Sequence, residues 1–383
     1  MTSSRKLTFN INHYNETIIG NTYQVPLMRY LKEKSLKKKN PVWENMCEDG
    51  VTENEKIYDY SSNDKNSRIK NIIDEIFFLD NKYEMARFFQ KHPYSYTPNS
   101  VLVPTRESIK QIKTEKDKTY FLKSGEYSVY GNKASYDKSQ GHSGKGVFVI
   151  QDRNNKWMVS KMKQRNKYVL QDGVGNMMLN EGRKFDIRTH ALFLKVGNRF
   201  KMYMWHNSYL RICVNEYNPN SLNEGEHLTN IHRQHFKEGF DYNKNQKLLS
   251  DLPEYEELNK NIKDACKELF YSLNTNLKIN VDENPAMWIV GLDFIIDNDL
   301  KPWLIEVNHN PGYLGEQNMR KYTKINYNSM VDLADNILEK VLRNQMINDF
   351  KTGGWKHIDT MIIPDSYPPN RKFFKPEPLK KEE

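Results

Sequence analysis

At 383 residues the chain exceeds one typical domain, so two or three lobes are expected. Lys and Arg outnumber Asp and Glu by 58 to 49, and the net charge of +9 favours an anionic partner without naming it. Cys47, Cys213 and Cys266 lie far apart with no Cys-x-x-Cys spacing, which argues against a zinc site or a disulfide framework and fits a reducing, cytoplasmic compartment. Met1–Asn10 has no apolar core for a signal peptide, and the apolar stretch Met287–Ile296 is broken by Asp293 and too short to span a bilayer, so no membrane partner is expected.

Before residue 65 the pattern is weak, with a strand read at Leu7–Ile11 and a short helix at Val25–Leu36. Arg68–Leu79 carries Ile69, Ile72, Ile73, Ile76 and Phe77 at helical spacing, which predicts a helix with one buried stripe. Lys82–His92 reads as another helix, and Val101–Val103 as a strand stopped by Pro104. Thr119–Lys123 is a strand that ends in a lysine. A polar loop dotted with glycine follows, closing on Gly141-His142-Ser143-Gly144-Lys145-Gly146, and strand resumes at Val147–Ile150. Backbone N–H groups at Gly144 and Gly146 are candidates to meet phosphate oxygens, although no P-loop signature is present and a plain mobile hairpin is an equal reading.

Tyr168–Gln171 is a short strand before the turn at Asp172-Gly173. In Arg183–Leu194, strand alternation puts Lys184, Asp186 and Arg188 on one face, opposite Phe185 and Ile187. Two cations bracketing one acid can clamp phosphates, and a surface ion-pair stripe is the competing reading. Arg199–Trp205 and Tyr209–Val214, which carries Arg211, extend that sheet. His227, His232 and His235 follow in a polar region, where nothing orders them as metal ligands. Tyr255–Leu273 is an amphipathic helix with Leu258, Ile262, Cys266, Leu269, Phe270 and Leu273 inward.

Next come two apolar runs around a polar turn, Trp288–Asp297 and Pro302–Asn308, the pattern of an antiparallel hairpin. Glu306 and Asn308 are expected on one face, with Trp303, Ile305 and Val307 on the other. If Asp297 pairs with Pro302, Asp293 lies opposite Glu306, and three oxygen-bearing side chains converge. Carboxylates in an apolar sheet need a partner, and a set of oxygens without His or Cys suits Mg2+. An edge hairpin with its acids in solvent is the bland alternative. Asn326–Gln345 reads as a last long helix, and 361–383 as an extended tail rich in proline and charge.

A strand lysine before a glycine loop, a Lys-x-Asp-x-Arg strand and an Asp…Glu-x-Asn hairpin, in that order, resemble the ATP-grasp ligases. Arg183-Lys184-Phe185-Asp186-Ile187-Arg188, His227-Leu228-Thr229-Asn230 and Leu304-Ile305-Glu306-Val307-Asn308 are similar to the tubulin tyrosine ligase and ligase-like family, over about Asn81 to Gln345. The resemblance implies an α/β fold of the ATP-grasp type, with mixed and antiparallel sheets flanked by helices. The nucleotide would lie between a central lobe at 80–171 and a C-terminal lobe at 172–360, after an N-terminal lobe at 1–79.

It further implies an ATP-dependent ligase that joins tyrosine, glutamate or glycine to a protein carboxylate, through an acyl-phosphate. The acceptor would be the acidic C-terminal tail of tubulin or another acidic protein, and the enzyme would sit with the cytoskeleton. Carried over by position, Asp293, Glu306 and Asn308 would hold Mg2+. Lys123 and Lys184, with Lys82 as a further contact, would meet the phosphates of ATP. Gln171 would read adenine, and His227, Thr229 and Asn230 would sit near ribose and phosphate. Asp186 and Arg188 would line the reaction centre, and Arg211 would meet its developing charge. One departure stands out: the family has Lys where this chain has Asp172. A ligase for another acceptor, or a degenerate member that binds without turnover, are the rival readings. Nucleic-acid binding has no motif to support it.

Overall fold

The computed structural model describes residues 73–115, 118–125, 146–151, 155–163, 166–281, 285–309, 332–342 and 346–376. The elements read before residue 73 and the glycine-loop positions through Lys145, Gly144 among them, lie outside these residues. The described architecture is mixed α/β, with two antiparallel sheets and few helices. The smaller sheet holds β1 (Ser100–Val103), β2 (Thr119–Ser124), β3 (Val147–Gln151) and β4 (Tyr168–Asp172), in the order β1-β4-β2-β3. The larger has eight strands. Its main path is β11-β10-β6-β7-β12, formed by β6 (Arg183–Val196), β7 (Arg199–Trp205), β10 (Ala286–Ile296), β11 (Pro302–His309) and β12 (Trp355–Ile362). Three shorter strands, β5 (Leu179–Asn180), β8 (Tyr209–Ile212) and β9 (Gln246–Leu248), attach around the start of β6.

β10 shows how pattern becomes layer. Its even-numbered residues Trp288, Val290, Leu292, Phe294 and Ile296 enter the main core cluster. Side chains at odd positions take the other face, so Gly291 and Asp293 share it. Helix α1 (Lys82–Lys91) and the long helix α2 (Tyr255–Asn276) supply the opposing apolar surface. All six inward positions expected for α2 are buried, and the five Leu, Ile and Phe side chains among them each contribute roughly 1.5–3 kcal/mol before entropy is counted. The small sheet has a separate core around Val103, Tyr120, Leu122, Ile150 and Leu170.

Three expectations change. From Ile73 the chain forms a turn and a 3₁₀ turn at Phe77–Asp80, where a continuing helix was expected; Ile73, Ile76 and Phe77 are buried all the same. In the hairpin Pro302 pairs with Ile296, not Asp297. The Asp297 carboxylate instead closes the turn, accepting from the N–H groups of Asp299 and Lys301 and from Trp303 Nε1. A bulge past Phe294–Leu304 restores the expected pairing of Asp293 with Glu306. The bulge also reverses the faces before it: Leu304 and Val307 both enter the core, so Trp303 and Ile305 do not share a face with Val307. Finally, the segment after β12 is packed through its described part. Phe374 is buried against Phe78 and Phe88, and its N–H donates to Asn276 O.

Candidate active site

Where the two sheets face each other lies an open cleft of about 690 Å3, its solvent mouth included. Lys123, Gln171, Lys184, Asp186, Arg211, His227, Thr229, Asn230 and Glu306 all line it. They come from β2, β4, β6, β8, β11, the short helix Glu224–His227 and the loop after it, so only the tertiary fold joins them. Lys82, Arg188, Asp293 and Asn308 lie just behind Glu306 and Arg211. Gly146 opens β3 with φ +85, and its carbonyl accepts from Ser124 N.

Two acids anchor the floor. Asp293 accepts both a lateral and a terminal N–H of Arg188, a further bond from Arg211 at 2.7 Å and one from Asn308 Nδ2 at 2.9 Å. Three of these contacts fall on Oδ2, whereas Oδ1 accepts only from Arg188 Nε among the described residues and keeps an acceptor site. Asp186 takes a two-pronged bond from Arg211, at 2.7 and 2.5 Å, and the hydroxyl of Thr229 at 2.5 Å. Burial pushes the Asp293 carboxyl up, but the two guanidinium groups outweigh it and hold Asp293 below the usual range. Asp293 therefore sits in the expected place, engaged with arginines. Of the three expected metal ligands, Glu306 and Asn308 keep an oxygen with no hydrogen-bond partner among the described residues.

Lys82 Nζ donates to Glu306 Oε1 at 2.6 Å. Burial works against the Lys82 charge, yet Glu306 outweighs it and raises its pKa; Glu306 is lowered in turn, its burial overcome chiefly by Lys82. The other two lysines differ. Among the described residues Lys123 Nζ reaches Gln171 Oε1 at 2.6 Å and the Ile305 carbonyl at 3.1 Å, and no carboxylate. Lys184 Nζ lies 4.4 Å from the centroid of the Phe121 ring and has no acceptor among the described residues. Burial drives both down to about 8; at Lys123 the nearby Glu306 charge opposes the shift while Lys82 and Lys184 add to it, and at Lys184 Cys213 and Asp186 oppose it without cancelling it. His227 is buried and lowered to about 4 by burial and by Lys184, so it is neutral at pH 7. No group of three or more His, Cys, Asp or Glu is arranged to hold a metal among the described residues.

Sequence pattern missed two features. Phe121, Val147, Val174, Met177, Ile295 and Ile305 give the cleft an apolar slot, which no motif announces. Asp80 and Asn81 are the second. Asp80 accepts from His309 N at 2.8 Å, and Asn81 caps α1 by accepting from Tyr83 N and Glu84 N while donating to Gly125 O. An Asn at a helix start was a readable capping signal. Asp172 is also answered: Lys118 Nζ lies 3.0 Å from its carboxylate, so a cation still stands near that turn.

Compared with known proteins, the chain matches the model of the tubulin-tyrosine ligase family over residues 61–349. The chain belongs to that family. Among its relatives are a probable tubulin polyglutamylase of Caenorhabditis elegans, 25% identical over 70% of this chain and 66% of the relative. A probable alpha-tubulin polyglutamylase of Tetrahymena thermophila is 26% identical over 57% of this chain and 56% of its own. A tubulin polyglutamylase of Danio rerio is 23% identical over 64% and 32%. The chain thus spans less than two thirds of the length of each of these relatives. No helix among the described residues is long and apolar enough to cross a membrane.

Proposed function

We propose that this member of the tubulin-tyrosine ligase family is an ATP-dependent ligase that joins glutamate to carboxylates on the acidic tail of tubulin. One observation carries the catalytic part. Two buried lysines, Lys123 and Lys184, line the cleft together with Glu306 and have no carboxylate in hydrogen-bond contact among the described residues. A buried unpaired ammonium is costly, and polyanionic phosphate relieves that cost. The apolar slot beside Gln171 has the character needed for a purine ring. Glutamate is favoured over tyrosine and glycine because the relatives above are named polyglutamylases. The net charge of +9 suits an acidic acceptor.

In this reading Lys123 and Lys184 hold phosphate oxygens, and neutral His227, Thr229 and Asn230 position the ribose end. Gln171 meets the base. The cleft falls between a lobe at 80–171 and one at 172–360, which clasp the nucleotide. Glu306 and Asn308, with the remaining acceptor site of Asp293 Oδ1, would hold Mg2+, which would bridge charge to the phosphates; Asp293 also fixes Arg188, Arg211 and the Asn308 amide. Mg-ATP supplies an electrophilic phosphoryl group that activates the acceptor carboxylate, and the glutamate amine then displaces phosphate. Arg188 and Arg211 are immobilised before any substrate arrives, so they stabilise developing negative charge without reorganising. No nucleophilic side chain is required, since the nucleophile is the amino acid.

The test is ligation on purified tubulin with Mg-ATP and labelled glutamate, tyrosine or glycine offered separately, with Glu306→Gln as the blank. Incorporation of glutamate alone, absent in the blank, is the expected result. Incorporation of another label overturns the donor. No incorporation of any label, with no thermal stabilisation by Mg-ATP, overturns the enzyme reading.

A further inference from the structure

Gly291 interrupts β10 at its middle, in a strand whose other residues are apolar except Asp293. Glycine inside a strand costs stability through backbone entropy and a missing side chain, and marks a close approach by another group. Here the approaching group is identified. Gly291 lies two residues before Asp293 on the same face, paired with His190 of β6 and Asn308 of β11. Arg188 is paired with Asp293, one step diagonal from Gly291. Its side chain runs back across the glycine. A Cβ at position 291 would stand 2.8 Å from Arg188 Cδ, 2.9 Å from Nε and 2.9 Å from Nη1. These are the three nearest atoms, and all belong to Arg188.

We propose that Gly291 is a positioning residue for the ligation reaction: it is the floor on which the Arg188 guanidinium lies flat to clasp Asp293. Any side chain at 291 lifts Arg188 at its middle, not at its flexible tip. The two parallel bonds to Asp293 cannot both survive that shift. Asn308, the strand neighbour of Gly291, donates to the same Asp293 oxygen as Arg188 Nη2, so a displaced guanidinium also disturbs the candidate metal side. The catalytic part of this inference rests on the ligase reading above; the steric part does not.

The experiment is a double-mutant cycle of Gly291→Ala with Arg188→Ala, read by melting temperature and by ligation rate. In the wild-type background Gly291→Ala should lower the melting temperature and cut kcat by about tenfold to a hundredfold, the range set by small misplacements of catalytic groups. With Arg188 gone, the same alanine should raise the melting temperature, because only its gain over glycine in a strand remains. Its extra effect on kcat should fall within about twofold, the limit for non-coupled change. Arg188→Lys provides a second background, since lysine removes Nε and Nη1 but keeps Cδ; Gly291→Ala should cost less there than in wild type and more than beside Arg188→Ala. A fall in melting temperature of equal size in all three backgrounds overturns the proposal. Should wild type show no ligation, the sign reversal in melting temperature still decides the role of Gly291 while the ligase reading fails separately.

Discussion

Two groups of buried charge lie in and just behind one cleft, and they are built on opposite principles. On the floor, Arg188 and Arg211 are matched by Asp293 and Asp186 through two-pronged bonds, and both arginines are held more firmly charged than usual against the pull of burial. On the wall, Lys123 and Lys184 are just as buried but have no carboxylate to meet among the described residues, and both are weakened to about 8. Matched charge can be left in place as scaffold. Unmatched buried cation is a cost that the empty protein carries and that an anionic ligand removes.

The comparison breaks most visibly at Asp293. Replacing it by Asn leaves the buried Arg188 guanidinium without its carboxylate and Arg211 with Asp186 alone, so a loss of about 3–5 kcal/mol is expected in chemical denaturation. A stability within error of wild type would show that the floor is not matched by charge. Glu306→Gln acts on chemistry: a fall of about 10²–10³-fold in kcat is expected, as for loss of one key electrostatic group. Retained ligation in that variant would remove Glu306 from the proposed metal site. On the wall the sign reverses. Lys184→Met should stabilise the empty protein by about 1–2 kcal/mol while abolishing most of the thermal stabilisation by Mg-ATP. A destabilised Lys184→Met protein would mean that this lysine has a structural partner.

The smallest effect is in pH. The folded values near 8 for Lys123 and Lys184 lie below the roughly 10.4 of an unfolded lysine. Between these values the unfolded chain binds more protons, so these lysines make the empty protein more stable as pH rises from about 8 to about 10. Bound Mg-ATP keeps both lysines charged, so its effect on melting temperature should shrink over the same interval. Calorimetry with and without Mg-ATP at pH 7.5 and 9.5 checks this, and a ligand effect that grows with pH contradicts it.

Much of the fold was legible because period and burial agree locally. The start of β6 alternates, β10 is a continuous apolar run before a polar turn, and α2 carries a single helical stripe, so pattern alone located them. The Asp293–Glu306 pairing was also legible, although by a route the structure corrects. The expected turn pairing is off by one, and the bulge past Phe294–Leu304 makes up the difference. Turn chemistry at Asp297 and a one-residue insertion have no signature in a two-residue period. The 3₁₀ turn at Phe77–Asp80 was missed for a related reason. Its apolar spacing suits a helix, but Asp80 and Asn81 are drawn into bonds with His309 and Gly125.

The identity of the chemistry-bearing residues was set by sequence alone. Lysines, arginines and acids placed at strand positions must face one side or the other, and placing them inside apolar strands demands partners. What each charge meets was decided only by the tertiary structure. Asp293 lies opposite Glu306 in the strand ladder, yet two arginines from β6 and β8 reach it first. Lys82 finds Glu306 from a helix 224 residues away in sequence, and Lys184 rests over Phe121 with no acid in hydrogen-bond contact among the described residues. Coulomb energy depends on distance in space and on exclusion of water, neither of which is written in the order of residues along a chain.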